Sequence, residues 1–260
     1  MKQFWTLFTK EMREAARSYK LLWMPLVFIS LGISDPLVNY YMEDILASVG
    51  NLPDGAQMIM PEFTPSDILL ASTGQFQMIG LVVIVAIFAN SISRERQNGT
   101  ATFLYVRPLN FAAYFFSKFA AAAVVVLLCV VLGYAASIYY TTILYGKIEI
   151  TSALTMIATY TLWLLFVIAF ALCMSALFKT AVSMFISIIV LVIGGLVDSI
   201  IGSFWTVSPY KLGNYAVDFV KLGEANEHFA TTAIITIVLT IVLIAVGIVA
   251  SKMNRKKLVL

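Results

Sequence analysis

The sequence predicts an all-α integral membrane protein: six transmembrane helices, an N-terminal amphipathic interfacial helix and both termini in the cytoplasm. Three observations predict it. Apolar residues make up 61% of the chain and charged residues 12%, whereas soluble domains run near 45–50% apolar and about 25% charged. Uncharged apolar runs recur along the whole chain, and a helix needs about 20 mostly apolar residues to cross a bilayer. The basic residues collect in alternate connections, as they do when one side of the membrane is favoured for positive charge. A core of 260 residues could not hide this much apolar surface from water, so residues 1–260 are read as a single transmembrane domain.

Residues 1–20 open the chain. Phe4, Phe8, Met12, Ala15, Ala16 and Tyr19 recur at helical spacing, with Lys2, Lys10, Arg13, Glu14 and Arg17 on other faces. Charges interleaved with aromatics do not read as a cleavable signal. Such a helix lies in the interface with Trp5 at headgroup level, and it either anchors the chain or meets a cytoplasmic partner.

The spans follow near 21–41, 75–92, 112–140, 153–178, 181–201 and 231–250. The first carries Pro25 and Asp35-Pro36, which predict a kink or a broken outer end because proline removes a backbone donor and clashes with the preceding turn. The other five each hold an uncharged run of at least 17 residues. Leu, Ile, Val and Phe each favour insertion by roughly 0.3–0.6 kcal/mol, so a dozen of them outweigh one acid such as Asp198 near an end.

Of the 17 Lys and Arg, 14 fall in residues 1–20, the second-to-third connection extended to Lys118, Lys179, and the tail after Ser251. The remaining three are Lys147, Lys211 and Lys221, while residues 42–74 have five acids and no base. This places both termini in the cytoplasm. The outer stretches 42–74 and 202–230 carry Gly and Pro turn signals around amphipathic pieces such as Tyr215 to Leu222, and short interfacial or re-entrant helices are expected there. The net charge of +3 is small, and no nucleic-acid partner is expected.

The chemistry is sparse. No G-x-x-x-x-G-K-[ST] phosphate loop occurs, and no H-E-x-x-H, Cys-x-x-Cys or G-x-S-x-G. His228, the single histidine, reads as a solvated loop residue. Cys129 and Cys173 sit in apolar runs and read as small packing groups. Met58 and Met60 are weak soft-metal candidates, and no metal site is assigned. Asp35 and Asp198 are acids inside spans; such groups are costly and default to functional hypotheses. Their position near the outer end leaves two readings, structural capping or part of an outward-facing substrate path.

The polar island at 93–110 is the main candidate site. It lies between two uncharged stretches, Ile68 to Ser93 and Phe119 to Gly146. Thr100 to Val106 has room for two helical turns, with Thr100 or Gly99 as N-cap and an end at Arg107, because Pro108 disfavours helix there. Phe103 and Leu104 give this piece an apolar side, and Arg94 and Arg96 flank it. It is either an ordinary basic loop or a rigid lever carrying a partner's push into the spans.

Glu95-Arg96-Gln97-Asn98-Gly99-Thr100, then Leu104 and Arg107-Pro108, resembles the segment between the second and third spans of ABC-2 type permeases, the membrane subunits of a class of ABC transporters. Ser175-Ala-Leu-Phe178-Lys179-Thr180-Ala181 and Ser208-Pro209-Tyr210 are similar to further stretches of that family, and the resemblance extends to the topology of the whole chain. Ala101-Thr102 departs from the Leu and Glu that usually follow the Gly-Thr pair. The resemblance implies a transporter subunit, not an enzyme, in the cell membrane. It implies a separate cytoplasmic ABC ATPase that brings ATP and Mg, no cofactor bound by this chain, and a second permease subunit in a homo- or heterodimer among membrane lipids. The ATPase-coupling residues would be Arg94, Glu95, Arg96, Gly99, Thr100, Phe103, Leu104, Arg107 and Pro108. Export is the usual direction, and the apolar spans favour a hydrophobic or amphipathic substrate such as a lipid, drug or peptide. The rival readings are a non-transporting membrane scaffold or sensor coupled to an ATPase, and a membrane-embedded enzyme, against which the shortage of ionisable groups in the spans argues.

Overall fold

A computed structural model describes residues 2–49, 63–99, 110–202 and 204–258. Thr100, Phe103, Leu104, Arg107 and Pro108, and with them the short helix expected at 100–106, lie outside the described residues, as do Met58 and Met60. The described residues form helices α1 (Lys2–Arg17), α2 (Lys20–Tyr40), α3 (Met42–Val49), α4 (Pro65–Gln75), α5 (Leu81–Phe88), α6 (Ser91–Gln97), α7 (Phe111–Leu144), α8 (Ile150–Leu177), α9 (Thr180–Ile201), α10 (Leu212–Lys221) and α11 (Phe229–Leu258). No strand occurs among them. Six stretches among them are long and apolar enough to cross a bilayer: Lys20–Tyr40, Pro65–Gln97, Phe111–Leu144, Ile150–Leu177, Thr180–Ile201 and Phe229–Asn254.

Local chemistry sets the element ends. α1 stops at a corner where Tyr19 takes a left-handed φ of 55° and Ser18 Oγ donates to Glu14 O at 2.7 Å. The second span is longer than the hydrophobic run near 75–92, because its helix starts at Pro65. Thr64 Oγ1 accepts from the Asp67 backbone N–H, the Asp67 carboxylate accepts from the Thr64 N–H, and Pro65 occupies the first turn. This reciprocal cap starts a helix in residues that otherwise read as outer loop. A single π-helical turn, Phe76–Gly80, joins α4 to α5. Asn110 starts α7 by accepting from the Ala112 and Ala113 N–H groups at 3.0 and 3.2 Å.

α2 does not break at its prolines. It continues through Pro25 and Pro36 to Tyr40, so the broken outer end expected from Asp35-Pro36 does not form. A tertiary contact holds that end, the Tyr145 hydroxyl donating to Pro36 O at 3.1 Å, and within the helix Asn39 Nδ2 donates to Asp35 O at 2.9 Å.

α2 packs along α7, and two glycines set the approach. A Cβ on Gly32 would lie 2.3 Å from Gly133 O, closer than any side chain permits. Small residues at such crossings let backbones come together where apolar burial gives no advantage over lipid. Beside this contact an aromatic column fills the centre: Phe28 stacks on Phe76 at 5.4 Å, Phe76 meets Tyr134 edge-on at 4.9 Å, and Tyr134 meets Tyr160 at 5.4 Å. α8 is the most buried span, while α9 and α11 keep large exposed apolar faces. α10 packs on α8 and α4, which makes the expected amphipathic piece near Tyr215–Leu222 a docked helix.

Candidate functional site

α1, α6, the C-terminal end of α8, the first turn of α9 and Asn254 of α11 gather at one end of the bundle. α6 is the described part of the polar island, and it is held on two sides.

On one side is an ion network. Glu95 of α6 accepts from Lys10 of α1 and lies 3.1 Å from Lys118 of α7. Glu11 of α1 lies 3.1 Å from Lys10 and 2.9 Å from Lys118. The other Glu95 oxygen accepts from the Tyr114 hydroxyl at 2.5 Å. The Lys118 ammonium sits 5.4 Å from the Tyr114 ring centre and reaches Ser91 Oγ at 3.4 Å. Two acids and two bases thus alternate, so each charge has two opposite neighbours. The Lys118 side chain is 2% exposed and those of Glu11 and Glu95 are 11% exposed. Burial of that degree demands pairing, since stripping water from an isolated ion costs several kcal/mol. Burial acts against the charged form of Lys10, but Glu11 and Glu95 outweigh it and hold its ammonium above the usual lysine range.

The other side is a set of helix-end contacts. Nothing on Asn90 caps α6. Instead Ser175 Oγ, near the end of α8, accepts from the Ile92 and Ser93 N–H groups at 3.0 Å each. These are N–H groups that a helix start leaves without intrahelical partners. Arg96 returns the contact: its guanidinium donates to Ala176 O at 3.0 Å, Ser175 O at 3.1 Å and Phe178 O. A planar cation suits the free carbonyls and negative dipole end of a helix C-terminus. Asn254 Nδ2 donates to the same Ala176 O at 2.6 Å, Thr180 Oγ1 donates to Gln97 Oε1 at 2.8 Å, and Ser183 Oγ donates to Ala89 O at 2.8 Å. α6 ends at Gly99, whose φ of 73° favours glycine.

The structure therefore brings Glu95 and Arg96 into one short rigid element joining α1, α7, α8 and α9. Arg94 is exposed on that element, and Gly99 ends it. Lys10, Glu11, Lys118, Ser175 and Asn254 are the residues the sequence reading missed as site members. Lys118 was visible as a lone charge beside an apolar run, and Ser175 lay in a stretch singled out by resemblance. The carboxylate oxygens of Glu11, Glu14 and Glu95 lie within 4.8 Å of one another, but Lys10 and Lys118 already occupy two of these acids, which leaves the group unlike a metal centre.

The two intramembrane acids sit toward the other end and are held separately. Gln75 Nε2 donates to Asp35 Oδ1 at 2.8 Å, and Ser34 Oγ donates to Gln75 Oε1 at 3.0 Å. Asp35 Oδ2 is buried with no hydrogen-bond partner among the described residues. Asp198 forms an ion pair with Lys211 at 3.2 Å, both side chains being largely buried. Tyr210, between them in sequence, donates to Val190 O at 3.1 Å; burial and then Asp198 push its phenol up to about 12.

Residues 5–258 match the family described as ABC-2 family transporter protein. The chain is also similar to the "Uncharacterized transmembrane protein YxlG" of Bacillus subtilis (strain 168), with 28% identity over 180 residues that cover 69% of this chain and 70% of that one. With a match over nearly its whole length, six candidate spans and a helical fold, the chain belongs to the ABC-2 family, a membrane component of ABC transporters.

Proposed function

We propose that this chain is the permease subunit of an ATP-driven exporter, working in the cell membrane with a separate cytoplasmic ABC ATPase that binds ATP and Mg. The observation that carries the reading is the two-sided fixation of α6. A push on the 93–110 segment would pass through Glu95 to α1 and α7, and through Arg96 to α8, with little slack at either contact. The charge distribution supports a cytoplasmic location for this end and for both termini. The exposed apolar faces of α9 and α11 support packing against a second permease subunit as well as lipid. The substrate proposed is hydrophobic or amphipathic, a lipid, drug or peptide, because the spans offer apolar surface and few charges. Asp35 and Asp198 would belong to the outward half of its path.

The test is to purify the chain with the ATPase expressed beside it and to measure ATP hydrolysis and ATP-driven flux in vesicles. Glu95→Lys puts a third cation against Lys10 and Lys118. Gly99→Val strains the left-handed end of α6. Both variants should insert in the membrane and leave hydrolysis without flux. Normal flux in both, or no association with an ATPase, would sink the reading.

A further inference from the structure

A cavity of about 460 Å³ opens beside the ion network, between α1, α5, α6 and α7. Seven charged side chains line it. Four of them, Lys10, Glu11, Glu95 and Lys118, pair with one another. The other three are Glu14, Lys20 and Arg94, which form no ion pair among the described residues. Glu14 stands within 4.8 Å of the Glu11 and Glu95 carboxylates and is the one acid of the three without a lysine partner among the described residues, in a lining where four bases face three acids. A divalent metal would sit against the Lys10 and Lys118 ammonium groups, whereas a single ammonium needs only one free carboxylate. Lys20 and Arg94 supply two free cations in the same lining, the complement of a phosphate. The remaining wall mixes the polar side chains of Ser18, Asn90, Ser91 and Asn98 with an apolar patch supplied by the spans, Phe88 of α5 and Ala122 and Val125 of α7. The lining thus offers one unpaired acid, two unpaired bases and an apolar patch.

We propose that the cavity beside Glu14, Lys20 and Arg94 binds the phosphoethanolamine headgroup of a membrane lipid. Glu14 takes the primary ammonium, Lys20 and Arg94 take the phosphate, and the apolar patch receives the start of the acyl region. A primary ammonium donates hydrogen bonds to a carboxylate, while the trimethylated choline head donates none, so the site separates two zwitterionic lipids of similar size. Phosphatidylglycerol lacks the cation altogether. The site does not depend on the transport reading, since a bound lipid would fix α1 against α7 whether or not anything is exported.

The experiment is native mass spectrometry of the full chain in detergent with palmitoyl-oleoyl phosphatidylethanolamine, phosphatidylcholine or phosphatidylglycerol added at equal concentration. Retention of the ethanolamine lipid should exceed that of the other two by about tenfold. Glu14→Gln should level ethanolamine with choline lipid. Lys20→Gln should weaken retention of all three together. The Glu14 side chain is exposed and Lys20 is half-buried at the start of α2, and an unchanged thermal midpoint in detergent confirms that each variant is folded. Equal retention of the ethanolamine and choline lipids by the parent chain, or a preference that survives Glu14→Gln, overturns the proposal. Soluble phosphoethanolamine gives the last arm: failure to displace the lipid supports a membrane ligand, and displacement at equal concentration overturns the lipid source in favour of a soluble aminophosphate.

Discussion

Glu95 and Lys118 lie 3.1 Å apart, with side chains 11% and 2% exposed, and they join the polar island to the first turns of the third span. Lys10 approaches the same carboxylate with a side chain 38% exposed. The two lysines therefore differ in what their removal leaves behind.

Breaking a buried pair by removing one partner costs about 3–5 kcal/mol, because the other ion stays desolvated. An exposed pair is worth about 0–1 kcal/mol. Glu95→Gln should lower the thermal midpoint in detergent more than Lys10→Gln does. Adding Lys118→Gln to Glu95→Gln should recover part of the loss, giving a non-additive cycle. Additive losses would mean that Glu95 and Lys118 do not interact.

Ser175→Ala strips an acceptor from two backbone N–H groups of α6. Loss of a capping side chain typically costs about 0.5–2 kcal/mol. The expected result is a lower thermal midpoint, with faster amide hydrogen exchange confined to residues 92–97. Arg96→Lys should give the same local pattern, because an ammonium cannot span three carbonyls with the reach of a planar fork. Protection unchanged in both variants would show that α6 is held by other contacts.

Gly32→Ala puts a methyl group 2.3 Å from Gly133 O. Overpacking of this kind costs about 1–3 kcal/mol, and here the obstacle is backbone, which moves less readily than a side chain. A drop in thermal midpoint and loss of monodispersity on size exclusion are expected. Gly74→Ala is the control, since a Cβ at Gly74 meets nothing within 4 Å.

Asp35→Asn keeps an acceptor for Gln75 and removes a charge whose Oδ2 lacks a partner among the described residues. Thermal stability should hold or rise. Asp198→Asn should reduce it, because Lys211 is left largely buried without its ion. If flux falls in Asp35→Asn while stability holds, the charge serves transport; unchanged flux assigns Asp35 to structure alone.

The number of spans, the amphipathic first helix and the separation of basic from acidic connections were all legible in the chain. Each is a local property: about 20 apolar residues suffice to commit a segment to the bilayer whatever its neighbours are, and charge on a connection is counted without knowing its contacts. The start of the second span was less legible. Its helix runs from Pro65 through residues such as Ser66, Ser72 and Thr73 that hydropathy reads as weak, and a reciprocal Thr64–Asp67 cap sets its beginning. The unbroken end of α2 needed a tertiary contact, because Tyr145, whose hydroxyl holds the Pro36 carbonyl, stands 109 residues away.

Sequence alone marked Glu95 and Arg96 as charged residues in a short polar island. Only the folded chain decided what they grip. Glu95 meets a lysine 85 positions earlier, and Arg96 meets carbonyls about 80 positions later. The pairing follows from desolvation: when the spans pack, Lys118 and Glu95 lose water together and must find opposite charge at whatever distance along the chain it lies. Periodicity and composition report on residues a few positions apart, so they identify the charges and leave their partners to the packing of α1, α7 and α8.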